Sequence, residues 1–222
     1  MRMRKKRWAR PELEECKYFL KDPTSNKGKW KEAFTNNAPI HLELGCGKGN
    51  FISRISIKNP NINYIAIDLK DDMLGYARRK IEQAYSGEQV NNVWLVAYDI
   101  ERIEDIFSEK DIIDRIYINF CNPWPKAKHR KRRLTYPKQL EKYKIFLKPG
   151  GEIHFKTDDS ELYIDTLSYL EEAGFEIVFN TDDLSKENDE NNIITEHEAM
   201  FTEQGIKIKK IIAKAPIVNF MA

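Results

Sequence analysis

Cysteine is scarce and scattered in this sequence: Cys16, Cys46 and Cys121 are the only three among 222 residues. An odd, widely spaced set builds neither a disulfide framework nor a C-x-x-C metal site, and the four histidines, His41, His129, His154 and His197, are equally dispersed. No metal is expected. Also lacking is any uninterrupted apolar run near the roughly 20 residues that a membrane helix needs. The basic start Met1–Arg10 is followed by acidic residues, not by the apolar core of a signal peptide, so the chain is read as cytoplasmic, without membrane contact. Glycine and proline are modest, at 10 and 9, which excludes collagen-like and low-complexity classes. A chain of 222 residues that is 41% hydrophobic can bury one sizeable core.

Charge of one sign is lacking as well, since 37 Lys plus Arg stand against 35 Asp plus Glu. Position makes this near-neutrality informative. Met1–Lys31 carries +7 and Lys126–Arg133 (KAKHRKRR) carries +6, so the remaining residues total −11. That asymmetry suits a protein that turns one side to a polyanion. Residues 1–35 are read as a basic N-terminal arm, flexible until bound, residues 36–216 as a single domain and 217–222 as a tail.

From Pro39 onward, short β-branched runs alternate with segments of helical period. The strand candidates are Ile40–Leu44, Tyr64–Asp68, Val93–Ala97, Arg115–Asn119, Glu152–Thr157, Glu176–Asn180 and Ile208–Lys214. Asn50–Asn59, Asp71–Tyr85, Lys138–Leu147 and Glu161–Ala173 place apolar residues three and four apart. Repeated β-α alternation calls for an open, mostly parallel sheet with helices on both faces, because parallel strands need crossover connections. Pro149-Gly150-Gly151 is read as the stop between the third of these helices and the next strand, and the polar Asp182–Asn192 as a mobile surface loop.

The first strand runs into Glu43-Leu-Gly45-Cys-Gly47-Lys-Gly49 and a helix follows. Glycines at alternate positions let the backbone turn tightly and approach a ligand at the helix start. A dinucleotide fingerprint is G-x-G-x-x-G; here the spacing is G-x-G-x-G with an acid two residues upstream. A carboxylate at a strand tip suits an ammonium or sulfonium better than a pyrophosphate. Asp68, at the end of the second strand, can accept two ribose hydroxyls, and Asp99, after the third, can accept from an adenine amino group. Three acids at consecutive strand ends converge where open α/β sheets bind ligands.

This spacing resembles the S-adenosylmethionine site of Rossmann-like class I methyltransferases, whose seven-stranded sheet matches the seven candidates. Further on, Asn119-Phe-Cys-Asn122-Pro-Trp124-Pro-Lys126-Ala-Lys128-His-Arg130-Lys131-Arg132-Arg133, Phe155-Lys-Thr-Asp158 and Thr195-Glu196-His197-Glu198 resemble, in order and separation, the signature blocks of the bacterial tRNA (guanine-N7-)-methyltransferase family. The resemblance implies S-adenosylmethionine as cofactor, with S-adenosylhomocysteine as product and no metal. It implies tRNA as partner, with guanine 46 as target. Glu43, Gly45, Gly47, Gly49, Asp68, Asp99 and Asn122 would then hold the cofactor, and Lys126, Asp158, Thr195, Glu196, His197 and Glu198 the guanine. The basic run Lys128, Arg130, Lys131, Arg132 and Arg133 would hold the RNA backbone, unless it is simply a solvated basic turn.

One position departs from the family pattern. Where an aspartate usually precedes Pro-Trp-Pro, this sequence has Asn122, which keeps a carbonyl acceptor but cannot take a proton. Guanine N7 carries a lone pair and no proton, so its alkylation requires no base. Asn122 is therefore the catalytic candidate through placement alone. Trp124 either stacks on a base or packs to fix the loop. Two other classes stay open: a tRNA-binding module without activity and, against the glycine spacing, a nicotinamide-dependent oxidoreductase. No obligate protein partner is evident, and both a monomer and a homodimer are compatible with the sequence.

Overall fold

The computed structural model describes residues 6–217; Arg2, Arg4 and Lys5 of the expected arm, and residues 218–222 of the expected tail, lie outside the described residues. The sheet follows from the alternation. Its strands are β1 (Phe19–Leu20), β2 (Ile40–Leu44), β3 (Asn63–Asp68), β4 (Val93–Ala97), β5 (Ile113–Asn119), β6 (Leu147–Thr157), β7 (Glu176–Thr181) and β8 (Lys209–Lys214). They lie in the order β1-β4-β3-β2-β5-β6-β8-β7. The six strands from β1 to β6 pair in parallel, whereas β8 runs antiparallel to both β6 and β7.

The helices are α1 (Ala9–Glu15), α2 (Asn50–Lys58), α3 (Asp71–Tyr85), α4 (Pro137–Lys144), α5 (Ser160–Glu172) and α6 (Glu196–Glu203). Two apolar cores divide between the sheet faces by the period of two. Tyr64 and Ala66 of β3 join Leu13, Ile52, Leu74 and Ile81 from α1–α3. Their neighbours Ile65 and Ile67 join Leu140, Tyr143, Leu162 and Leu170 from α4 and α5. Both faces are thus covered, as a parallel sheet requires.

Strand order reverses between β2 and β5: β3 and β4 run outward on one side of β2, and β6 on the other. Loops leaving these two strands diverge and open a crevice at their carboxyl ends. The glycine turn fills its rim. Gly49 (φ +76°) lies so close to α3 that an added Cβ would sit 2.5 Å from the Ala77 Cβ, so this glycine packs α2 onto α3. Gly47 (φ +53°) has open space above it and serves the crevice instead.

Four expectations change. The sheet has eight strands rather than seven, because the two-residue β1 pairs Phe19 and Leu20 with Leu95 and Val96. Residues 6–35 do not form a detached arm: Trp30 is fully buried, its indole donates to the Ile106 carbonyl (2.6 Å), and its N–H and that of Gly28 donate to Asp111. Pro149-Gly150-Gly151 lies within β6, which begins at Leu147, while α4 has already ended at Lys144. Asp182–Asn192 is tied down, with Asp183 and Leu184 buried and Asp189 paired with Lys210.

Candidate active site

A cleft of about 630 Å³ opens at the carboxyl ends of β2–β5, walled by the loops that follow each strand and by the start of α6. Glu43, Gly45, Gly47, Asp68, Asp99, Asn122, Thr195, Glu196 and His197 all face it, so residues spread over more than 150 positions meet there. Gly49, Lys126, Asp158 and Glu198 are not part of its wall, and of the basic run only Arg132 is.

The floor is chemically unfinished. Glu43 is 2% exposed, and its Oε2 has no partner among the described residues. Burial disfavours the charged form and pushes its carboxyl up to about 8. In the same cleft the buried amide nitrogen of Asn50 is likewise without a partner, and that of Asn119 closes no full hydrogen bond, although the Asn119 side chain lies near enough to Glu43 to pull its carboxyl down against burial. Both asparagines line the cleft; neither has a role assigned from sequence, although Asn119 opens the Asn119–Arg133 block. Their only signal was position: Asn50 opens the helix after the glycines, and Asn119 ends the strand next to β2. One acceptor and two donors left unmet in one hollow form a set that a ligand carrying an ammonium and a carboxylate would complete.

Asp68 is held rather than free. It accepts from the N–H groups of Gly47 (3.0 Å) and Lys70 (2.9 Å), which fix its orientation at the tip of β3. Burial raises its pKa, opposed by those same N–H groups. Asp99 caps its own turn by accepting from the Glu101 N–H at 3.0 Å.

The loop after β5 carries backbone strain. Phe120 (φ +53°) and Trp124 (φ +44°) are both in the left-handed region, which bulky residues rarely adopt. Asn122 Oδ1 accepts from the Trp124 N–H (3.1 Å), so the carbonyl it shares with aspartate holds the turn. Trp124 lies between Arg132, whose guanidinium is 4.7 Å from its ring, and His129, with ring centroids 5.8 Å apart.

Arg133 is corrected from an RNA contact to an internal brace. Its side chain is fully buried, donating to the Pro123 carbonyl (2.7 Å) and Glu161 (3.1 Å) and pairing with Asp165. Arg130 pairs with Glu161 (2.6 Å) and Arg132 with Glu101 (3.2 Å). Lys126, Lys128 and Lys131 are exposed on the same turn.

The guanine block divides in a similar way. Thr195 caps α6, its hydroxyl accepting from the Glu198 N–H at 3.1 Å. Glu196 pairs with Lys80, and the His197 ring stacks on Phe120 with centroids 5.8 Å apart. Glu198 turns away from the cleft: it is 6% exposed, and its oxygens take Lys156 (2.7 Å) and the Asn192 amide (2.6 Å). That corrects its placement as a direct reader of the base, since both oxygens are already engaged. Asp158 is spared the capping of α5, a task Asp159 performs through the Leu162 N–H (2.7 Å).

Comparison with known proteins agrees with this geometry. A family described as putative methyltransferase matches residues 37–211. A protein of Clostridium beijerinckii named tRNA (guanine-N(7)-)-methyltransferase is 60% identical, the match covering 96% of this chain and 98% of that one. A protein of Acetivibrio thermocellus with the same name is 53% identical over 96% and 99%. Among solved structures, the 16S rRNA methyltransferase KamB superposes with a TM-score of 0.58 at 11% identity, covering 96% of this chain and 95% of that one. An antibiotic-related methyltransferase gives 0.57 at 22% identity, over 81% and 88%. The solved structures fix the class I methyltransferase fold, and the near-full-length relatives place this chain in the tRNA (guanine-N(7)-)-methyltransferase family.

Proposed function

We propose that this protein methylates N7 of guanine 46 in tRNA, with S-adenosylmethionine as donor. The observation that carries the reading is the buried, unpaired carboxylate oxygen of Glu43 at the switch point of the sheet, in a chain 60% identical to a protein named for this reaction. When bound, the cofactor supplies a methyl group on a sulfonium. Glu43 would take the cofactor's ammonium, and Asn50 and Asn119 its carboxylate; Asp68 would take the ribose hydroxyls and Asp99 the adenine amino group. A pyrophosphate offers Glu43 no cation to pair with and would hold its carboxyl neutral, and the G-x-G-x-G spacing departs from the dinucleotide pattern, which together disfavour a nicotinamide cofactor.

At the reacting end, the guanine N7 lone pair would accept the methyl group, the electrons of the C–S bond staying on sulfur. No proton moves in that step, so Asn122 in place of an aspartate is compatible with turnover. The protein's task is placement at near-attack distance, which contributes about 7–11 kcal/mol. To leave N7 free, the base is held by its opposite edge, where N1–H and N2–H₂ are donors; Asp158, Glu196 and the Thr195–His197 wall are the acceptors assigned to it. Alkylation makes the purine cationic and its N1–H more acidic, so a carboxylate on that edge binds the transition state more tightly than the ground state. Lys126, Lys128 and Lys131 are assigned to phosphates, within a single catalytic domain that acts in the cytoplasm as a monomer or homodimer.

Incubation with methyl-labelled cofactor and unmodified tRNA is expected to yield one 7-methylguanosine per tRNA, and none when guanine 46 is replaced by adenine. Binding of tRNA and adenosylhomocysteine without product would instead identify a non-catalytic RNA-binding protein.

A further inference from the structure

Ten residues, Asp189–Glu198, are held by cations from four different elements. On α2, Lys58 and Arg54 donate to the carbonyls of Glu190 (3.3 Å) and Ile194 (2.9 Å). Lys80 of α3 pairs with Glu196, and Lys210 of β8 with Asp189. The fifth cation, Lys156 of β6, is the most deeply buried, its side chain 5% exposed against 10% for Lys210.

An ammonium has three N–H donors, and Lys156 places one on each of three acceptors: Glu198 Oε2 (2.7 Å), Asn192 Oδ1 (3.0 Å) and the Ile193 carbonyl (3.0 Å). Asn192 then donates to Glu198 Oε1 (2.6 Å), which closes a ring of three side chains. Thr195-x-x-Glu198 has the spacing of a capping box, in which the glutamate would turn back to the threonine N–H. Only half of that box forms: Thr195 accepts from the Glu198 N–H, and the Glu198 carboxylate is diverted to Lys156. The start of α6 is therefore pinned to the sheet rather than to itself, and the residues between, Thr195, Glu196 and His197, form the cleft wall.

We propose that Lys156 is a positioning residue of the methyl transfer: through Glu198 and Asn192 it sets where the Thr195–His197 wall stands, and with it where guanine N7 stands, without touching the substrate. The proposal rests on the assignment of that wall to the guanine. It also gives Glu198 a specific task, to carry the position of a β6 lysine into α6.

Lys156→Met tests it. Misplacement of a reacting atom by about 1 Å costs on the order of 100-fold, so kcat is expected to fall by about that factor, while the Kd values for tRNA and adenosylhomocysteine stay within about threefold. Amide exchange is expected to accelerate at residues 189–198 and to remain unchanged in β2 and β5. Lys156→Arg, which keeps a cation and several donors, recovers part of kcat. Asn192→Ala leaves no buried charge unpaired and is expected to show the same pattern, with a loss of about tenfold in kcat. An unchanged kcat in both Lys156→Met and Asn192→Ala would overturn the proposal. So would loss of adenosylhomocysteine binding together with faster exchange throughout the sheet, which would mark Lys156 as a support of the whole fold. If the wild-type protein formed no 7-methylguanosine, the proposed activity would fall, and local exchange in these variants would still decide whether Lys156 sets the segment.

Discussion

The floor of the cleft and the support behind its wall each contain a buried glutamate, and the two are treated in opposite ways. Glu198, behind the wall, has both oxygens engaged by Lys156 and Asn192. Glu43, in the floor, keeps an oxygen without a partner among the described residues, in a cleft that also holds the amide groups of Asn50 and Asn119. A lone buried carboxylate costs stability unless something completes it. The difference separates two uses of one side chain: where the protein supplies the partners the glutamate builds, and where it withholds them the glutamate binds.

Glu43→Gln should break the comparison most severely. Loss of one member of a buried charge pair costs about 2–5 kcal/mol, so adenosylhomocysteine affinity should fall on the order of 100-fold in calorimetric titration. The pH behaviour sharpens this. With its carboxyl at about 8, Glu43 is mostly protonated in the free protein at pH 7 and must ionise to pair with an ammonium, so binding should release close to one proton. Enthalpies measured in buffers of different ionisation heat report that number, and a value near zero would refute the pairing. In the free protein the native state binds the extra proton between its ordinary carboxylate range and about 8, so stability should fall as pH rises through that window. Glu43→Gln should flatten that slope.

The basic run extends the contrast to cations. Arg133 is fully engaged, so Arg133→Met should cost about 2–3 kcal/mol of stability in denaturant unfolding, its acidic partners being left partly solvated. The slope of tRNA affinity against salt should be unaffected. Lys128→Ala with Lys131→Ala should do the reverse, lowering the salt slope by about 2 and leaving the melting temperature in place. Equal effects from the two variants would erase the distinction. The smallest change is expected for Asn122→Asp. Its carbonyl already holds the Trp124 N–H, so kcat should shift by less than about threefold if placement governs the rate. A much larger rise would show that charge matters there.

The parts of the molecule with local period were legible in the chain. β2, β3 and β4 appear within a residue of their expected bounds and β5 begins two residues early, and Asp68 and Asp99 stand at the tips where alternation put them. What escaped notice was pairing over distance. Lys156 and Glu198 are 42 positions apart, and nothing local marks one as the other's counter-ion. Arg133 is indistinguishable in composition from its five basic neighbours, yet packing alone makes it a brace. The two residues of β1 are too few to show a period, and α1 is masked by charge. Its acidic residue Glu12 pairs with Arg78 and Arg79 of α3, so the segment that looked like a free basic arm is an interface.

The docking of residues 6–35 has a consequence for the order of events during synthesis. Gly28 and Trp30 are anchored on Asp111 and Ile106, 76–83 positions downstream. At about 5–20 residues per second, the ribosome needs roughly 4–16 s to supply those anchors. Until then this part of the chain waits as a hydrated, cationic strip beside a polyanionic ribosome, and its apolar side chains settle only after the centre of the sheet exists. The docking of Gly28 and Trp30 therefore has to wait for Ile106 and Asp111, and with it the closure of β1 over a sheet edge that would otherwise offer its N–H and C=O groups to a neighbouring chain.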